Sequence, residues 1–250
     1  MFGAIESTNI VGYNSNNKTD KQYSVVGHGF VTVGAPAGKK VFMLSDIKPA
    51  QWSSSADILQ LMSDVNARTL ASWAYFSKAE AEANGVGEEY VGWWDSEMQT
   101  QYTGDNDIEF DLGAGFKVNG AAKDVKLQNV GKVNTEATEI DLRGKQYVPL
   151  ANILPRDIRL GDIVGIGTES SADIVQELSD VNASTTEMYV YFSAAEATAN
   201  ELTSDYVGWW TSDFTERADD VQLNAGDAFW CNLSAKNARF AFPSATSNVQ

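Results

Sequence analysis

The chain has 250 residues, of which 43% are hydrophobic and 11% aromatic. That is enough apolar material for a packed core and excludes a disordered chain, while the length allows one large domain or two ordinary ones. Its 34 acids against 18 bases leave a net charge of −16. Such a charge excludes nucleic acid and anionic membrane as natural partners and suits solubility, cation binding or assembly at a surface.

The start, Met1-Phe2-Gly3-Ala4-Ile5-Glu6, has neither the charged region nor the apolar stretch of a leader. Either the protein stays in the cytosol or a leader has been removed. Cys231 is the only cysteine, so no internal disulfide forms. Many exported bacterial proteins are as poor in cysteine, and an extracellular or cell-surface location is expected. No run of 18 apolar residues exists, so a membrane-spanning helix is not expected.

Along the chain the elements are mostly strands, beginning with Val31-Thr32-Val33. Ile58, Gln60 and Met62 then alternate with Leu59 and Leu61, the period of a strand. The turn formers Ser63-Asp64-Val65-Asn66-Ala67 follow, and a second strand through Ala71, Trp73 and Tyr75 makes a hairpin. A helix over 56–63 behind a serine cap is the competing reading; the β-branched and aromatic residues of the second segment favour strand. A short helix is predicted over 77–84, where alanine and glutamate follow Ser77 as N-cap. Tyr147-Val148-Pro149-Leu150 reads as strand. Ile174, Gln176 and Leu178, the turn Ser179-Asp180-Val181-Asn182-Ala183-Ser184, and Thr186, Met188, Val190 and Phe192 make another hairpin. A helix over 193–200 and a strand at Phe229-Trp230-Cys231-Asn232 complete the series.

The two halves are copies of one another. Ser54-Ser55-Ala56-Asp57-Ile58 falls under Ser170-Ser171-Ala172-Asp173-Ile174, and the match runs without a gap to Trp94 and Trp210 with more than half of its positions identical. Further out, Leu44, Asp46 and Ile47 match Leu160, Asp162 and Ile163, and Lys21-Gln22-Tyr23 matches Lys145-Gln146-Tyr147. Val11-Gly12 matches Val130-Gly131, and Leu112-Gly113-Ala114-Gly115 answers Leu223-Asn224-Ala225-Gly226. The expected fold is mainly β: two tandem antiparallel modules of sandwich or barrel type, each with a short helix, over 1–124 and 125–250. No Pro- or Ser-rich linker separates them, so they should abut as neighbours do in repeat arrays.

The order Asn9 to Gly12, Gly144 to Tyr147, Ala172 to Gln176, Tyr189 to Phe192, Gly208 to Trp210 and Leu223 to Trp230 resembles a duplicated module of secreted proteins from Verrucomicrobia- and Lentisphaerae-type bacteria. The resemblance covers most of both copies and implies export and a β architecture, with no particular activity. The first copy departs from it at Phe116-Lys117-Val118, where the final tryptophan is missing.

Few residues could carry chemistry. His28 is the only histidine and its counterpart falls near Asn152, which favours a polar residue at a strand end over a general base. Cys231 has no Cys-x-x-Cys or histidine neighbour and reads as a small packed side chain. Asp95, Glu97 and Asp107 lie near aromatic residues, as a glycosidase pair would, although a solvated acidic face explains them more simply. Gly113-Ala114-Gly115 and Gly165-Ile166-Gly167 lack the lysine and helix of a phosphate loop and read as turns. Asp105, Asn106, Asp107, Glu109 and Asp111 supply oxygen at close spacing, as calcium requires, but without the glycine and terminal glutamate of an EF-hand. Calcium is therefore a possible ligand set against an acidic turn.

In a strand, Trp93 and Trp94 point to opposite faces, as do Trp209 and Trp210. One of each pair is expected in the core, and the other could stack on a sugar ring or anchor an interface. On the hairpins, the face of Ile58, Gln60 and Met62, with Ile174, Gln176 and Leu178, is expected to be buried. The opposite face carries Val175, Glu177, Glu187, Tyr189 and Tyr191 in the second copy, but Leu59, Leu61, Ala71, Trp73 and Tyr75 in the first. Loss of both charges predicts an apolar patch covered by the second module, by another subunit or by the loop at 34–40.

No catalytic constellation emerges. The expected function is a non-catalytic extracellular building block that assembles with itself into a surface layer, fibre or filament. The alternative is a carbohydrate-binding or adhesive module whose partner is a glycan held by Trp93, Trp94, Trp209 or Trp210.

Overall fold

The computed structural model describes residues 11–19, 23–51, 58–63, 66, 68–119, 124–168, 174–178, 185–233 and 238–245. The expected turn at 179–184, the start of the competing helix at 56–57 and the residues 120–123 lie outside them.

The first half carries β1 (Val11–Thr19), β2 (Tyr23–Gly27), β3 (Phe30–Val31), β4 (Val41–Met43), β5 (Ile47–Gln51), β6 (Ile58–Met62) and β7 (Thr69–Phe76). Helix α1 (Lys78–Asn84) follows, then β8 (Gly92–Asp95), β9 (Gln101–Tyr102), β10 (Glu109–Asp111), β11 (Gly115–Asn119) and β12 (Asp124–Val133). The second half carries β13 (Thr138–Asp141), β14 (Tyr147–Ala151), β15 (Ile158–Arg159), β16 (Val164–Ile166), β17 (Ile174–Leu178) and β18 (Thr185–Phe192). Helix α2 (Ala194–Ala199), β19 (Gly208–Thr211), β20 (Gln222–Leu223), β21 (Ala228–Asn232) and β22 (Arg239–Phe242) complete it.

The fold is mainly β and sandwich-like, and no sheet closes into a barrel among the described residues. In the first copy a six-stranded sheet runs β2-β11-β6-β7-β8-β9. A smaller sheet is built on β12, with β1 along one side and β3 and β5 sharing the other. The second copy repeats the design with β14-β21-β17-β18-β19 and β13-β22-β16. Among the described residues every pairing between strands is antiparallel. Strand β12 thus does for the first copy what β22 does for the second. All but its first residue falls beyond the division expected after residue 124, yet it is built into the first copy's small sheet. Gly12 and Gly131, matched as equivalents in the sequence, are cross-strand partners instead. Phe116 lies opposite Val26 as Phe229 lies opposite Leu150, so Phe116-Lys117-Val118 corresponds to Phe229-Trp230-Cys231.

Each module buries one face of its large sheet against its small one. In the first copy Val26, Phe42, Leu44, Ile47, Leu59, Trp73, Trp93, Phe116, Val118 and Leu127 form one cluster, and the second copy's equivalent cluster also takes in Val31 and Leu112 from the first. Burying each large side chain contributes roughly 1.5–3 kcal/mol. The indole N–H groups of Trp93 and Trp209 donate to the carbonyls of Ile47 and Ile163, both at 2.8 Å. These two bonds tie the large sheet to the segment that opens the small one.

On β6 the expected face is the more open one, while Ala74 and Val190, on the expected face of β7 and β18, are buried. The side chains of Ile174, Gln176 and Leu178 lie outside the described ones. Leu59 is fully buried and Trp73 is 2% exposed, whereas Ile58, Gln60 and Met62 are only half-buried. Val175, Tyr189 and Tyr191 are likewise buried. The misleading signal was the pair Glu177 and Glu187, which sit opposite one another close to the loop that joins β17 to β18. Glu187 is exposed, yet Tyr189 and Tyr191 on the same face are buried, so one charge does not report the whole face.

The helices form where alanine and glutamate follow a serine cap. Glu80 N–H donates to Ser77 Oγ and Glu196 N–H to Ser193 Oγ, each at 3.2 Å. Gly85 ends α1 in the left-handed conformation, at φ 66°.

The copies meet across a pseudo-twofold contact between β2 and β14. Gly27 N–H donates to Gly226 O at 3.1 Å, and its counterpart Ala151 N–H donates to Gly113 O at 3.0 Å. The bridges Val26–Asp227 and Leu150–Ala114 are related in the same way. Near the axis the equivalent positions face each other, and a Cβ on Gly27 would lie 2.1 Å from that of Ala151. Gly115 is also packed closely on Pro149, where an added Cβ would lie 2.8 Å from the proline ring.

Candidate functional site

Four groups of residues merit comparison with the sequence expectations: the tryptophan pairs, the acidic loop, the hairpin face and the lone histidine. Trp93 and Trp209 are in the core. Trp94 and Trp210 lie on the outer face, where each indole stacks on a tyrosine four residues earlier. Tyr90 and Trp94 are 6.0 Å apart at 11°, and Tyr206 and Trp210 are 5.9 Å apart at 18°. Each of these indoles donates to its tyrosine's carbonyl, at 2.8 and 2.9 Å. Both tyrosines are 44% exposed, so they present more open ring than the tryptophans beneath them. Sequence reasoning missed them, although both stand at the head of the repeated Tyr-Val-Gly-Trp-Trp.

The copies latch this aromatic corner differently. Gln101 Nε2 donates to the carbonyls of Glu89 and Val91, and Arg217 makes the equivalent bonds to Asp205 and Val207. Arg217 also lies 5.0 Å above the Trp210 ring and ion-pairs with Asp219. Beside it, Arg159, Tyr191, Trp209 and Arg217 line a shallow cleft of about 320 Å³. Its two guanidinium groups are already answered by carboxylates, Arg159 by Asp162 and Asp220, and Arg217 by Asp219.

The acidic loop is a 3-10 turn, Gly104–Asn106, leading into β10. Its oxygens are directed to different partners. Asp107 accepts from the N–H groups of Ile108 and Ser45, Glu109 ion-pairs with Lys39, and Asn106 donates to Gln101 O. Asp105 and Asp111 are exposed. Among the described residues no three His, Cys, Asp or Glu side chains gather where they could hold a metal ion. Asp95 caps its own hairpin turn, accepting from the N–H groups of Glu97, Gln99 and Thr100. Those bonds, the one from Gln99 foremost, hold its carboxyl below the usual carboxylate range, the opposite of what a proton donor needs.

The patch of Leu59, Leu61, Ala71, Trp73 and Tyr75 is covered inside its own module. Leu59 and Trp73 belong to the core cluster and Leu61, Ala71 and Tyr75 pack against it. Burial alone raises the Tyr75 hydroxyl above its ordinary value. The loop at 34–40 does not reach this face. It crosses to the second copy, where Ala35 packs on that copy's core and Lys40 bonds Thr138 and ion-pairs with Glu136.

His28 is fully buried beside the junction, its ring stacked on Phe42 at 4.5 Å and 8°. Cys231 is buried in the slot that Val118 fills in the first copy.

Compared with family models, with curated proteins and with solved structures, the chain finds no match. Its own geometry carries the functional reading.

Proposed function

We propose that this chain is a non-catalytic building block of an extracellular surface layer, fibre or filament, with other copies of itself as partners. The observation that carries the reading is strand β1. It pairs with β12 along all nine of its residues and, among the described residues, has no strand on its other side. A long open edge offers a row of backbone N–H and C=O groups that a strand from another copy can join. The junction supports the same reading, because β2 and β14 meet there while β9 and β19 lie at the opposite ends of their sheets. Equivalent edges therefore point away from one another, as a two-ended subunit requires.

Light scattering over a range of concentrations, with negative-stain microscopy, tests this. Regular polymers or fibres are expected; a monodisperse monomer at every concentration overturns the proposal.

One observation favours a second reading, a glycan-binding surface module. The stacked pairs Tyr90–Trp94 and Tyr206–Trp210 give each copy an exposed aromatic ring. Two such platforms on one chain would bind a polysaccharide with avidity. Glycan-array binding that falls when Tyr90 and Tyr206 are both changed to Ala supports it, and no binding to any glycan removes it.

A further inference from the structure

The one histidine stands where its twin carries an amide, and the contrast is chemical. Asn152 satisfies every polar atom it has. Its Oδ1 accepts from Leu154 N–H at 2.9 Å, and its Nδ2 donates to the carbonyls of Arg156, Leu223 and Asn224. His28 reproduces only the first of these contacts. Its Nδ1 lies 3.2 Å from Phe30 N and 3.0 Å from Phe30 O, so one tautomer accepts and the other donates there. Its Nε2 is buried with no hydrogen-bond partner.

A charged ring would need acceptors at both nitrogens. Phe30 O can take the Nδ1 proton, while Nε2 makes no hydrogen bond, although the Asp46 carboxylate and backbone both favour the charged ring. The neighbours packed on the ring, Phe30 and Phe42, are apolar. Asp46 is the charged group that faces it, with its carboxylate already accepting from Thr32 Oγ1 and Met43 N–H. Charging the ring therefore favours moving it toward water.

That movement strikes the junction. Gly27, one residue before, donates across to Gly226 O, and its carbonyl accepts from Asn129 Nδ2 at 3.0 Å. Gly29, one residue after, lies so close to Asn152 O that an added Cβ would sit 2.8 Å from it. Movement of the ring therefore pulls on backbone held at the junction on both sides. We infer that His28 is an acid-sensitive latch: uptake of one proton by its ring releases the first copy's side of the contact between the copies.

Burial holds the imidazole well below its ordinary value, at about 4, against the pull of Asp46 and the Phe30 and Asp46 backbone groups. The unfolded chain takes up this proton near pH 6.5. Between those two values folding expels a proton, so the stability His28 allows at neutral pH is lost progressively as pH falls from about 6.5 toward 4. The device is independent of how the chain assembles.

The test compares the full chain with His28→Asn, which installs the twin's side chain. Melting temperatures from pH 7.5 to 4.5 are expected to fall by roughly 5–10 °C more in the parent than in the variant. Over the same range hydrogen-exchange protection at the Gly27 and Ala151 amides, which span the junction, should fall in the parent and hold in the variant. Parallel pH profiles overturn the inference, as does loss of protection that spares these two amides. NMR titration of the His28 ring in the parent needs no variant, and a midpoint near that of an exposed histidine overturns it as well.

Discussion

Gly27 and Ala151 occupy equivalent positions in the two copies and face one another across the pseudo-twofold axis, with room for one methyl group between them. Gly27→Ala puts a second methyl into that space. Overpacking of this kind costs about 1–3 kcal/mol, and here it falls on the docking of the copies. The symmetry supplies the control. Gly27→Ala combined with Ala151→Gly moves the single methyl to the other side of the axis and is expected to recover most of the loss. Urea denaturation of the parent, both single variants and the double variant measures this as a coupling energy, and additive effects would count against the axis.

The paired bonds from Trp93 to Ile47 and from Trp209 to Ile163 predict matched losses. Changing either tryptophan to Phe leaves a buried carbonyl unanswered and removes part of the ring, so each variant should lose roughly 1–3 kcal/mol or somewhat more. Denaturant titration followed by circular dichroism reads this without relying on the fluorescence that the substitution removes.

Cys231→Val installs the side chain that fills the same slot in the first copy. A shift within about 1.5 kcal/mol is expected, as for other substitutions that conserve volume. In the parent, a thiol reagent should react only as fast as the protein unfolds, because the sulfur is fully buried.

Met98 and Phe214 take the left-handed conformation at the matching turns after β8 and β19, each at φ 58°. A residue with a Cβ is held there at a cost of roughly 1–2 kcal/mol. Met98→Gly should relieve this and leave the melting temperature equal to the parent's or higher. Phe214→Gly should gain less, because the ring it removes packs edge-on against Phe192 at 6.0 Å.

Much of this architecture was legible in the chain because a duplication displays its elements twice. The hairpin of β6 and β7, the serine-capped helices and the Trp pairs all follow from local period and capping, which depend on near neighbours. What failed depended on partners distant in sequence. Which face of β6 is inside is decided by Ile47 and Leu127 on the small sheet, and no alternation within the hairpin reports them. The loop at 34–40 shows in the sequence as extra length between Tyr23 and Leu44, yet its landing place on Thr138 and Glu136 is a property of the docked pair. The tyrosines that stack on Trp94 and Trp210 could have been found, since a spacing of four residues recurs in both copies. His28 was correctly placed at a strand end, but the missing partner of its Nε2 shows only against the satisfied Asn152.

The position of β12 has a consequence for biosynthesis. Strands β1 and β5 are made early, and both must wait for residues 124–133 before their edges are paired. At ordinary rates of about 5–20 residues per second, a ribosome takes on the order of ten seconds to make the chain that separates them from β12. During that interval the nascent chain holds two unsatisfied strand edges, the kind of surface on which neighbouring chains aggregate. The second copy meets the same delay, because β13 and β16 wait for β22, far along the chain from both. Each half therefore holds open strand edges while it is being made, and factors that shield nascent strands should affect the yield of this protein more than its stability.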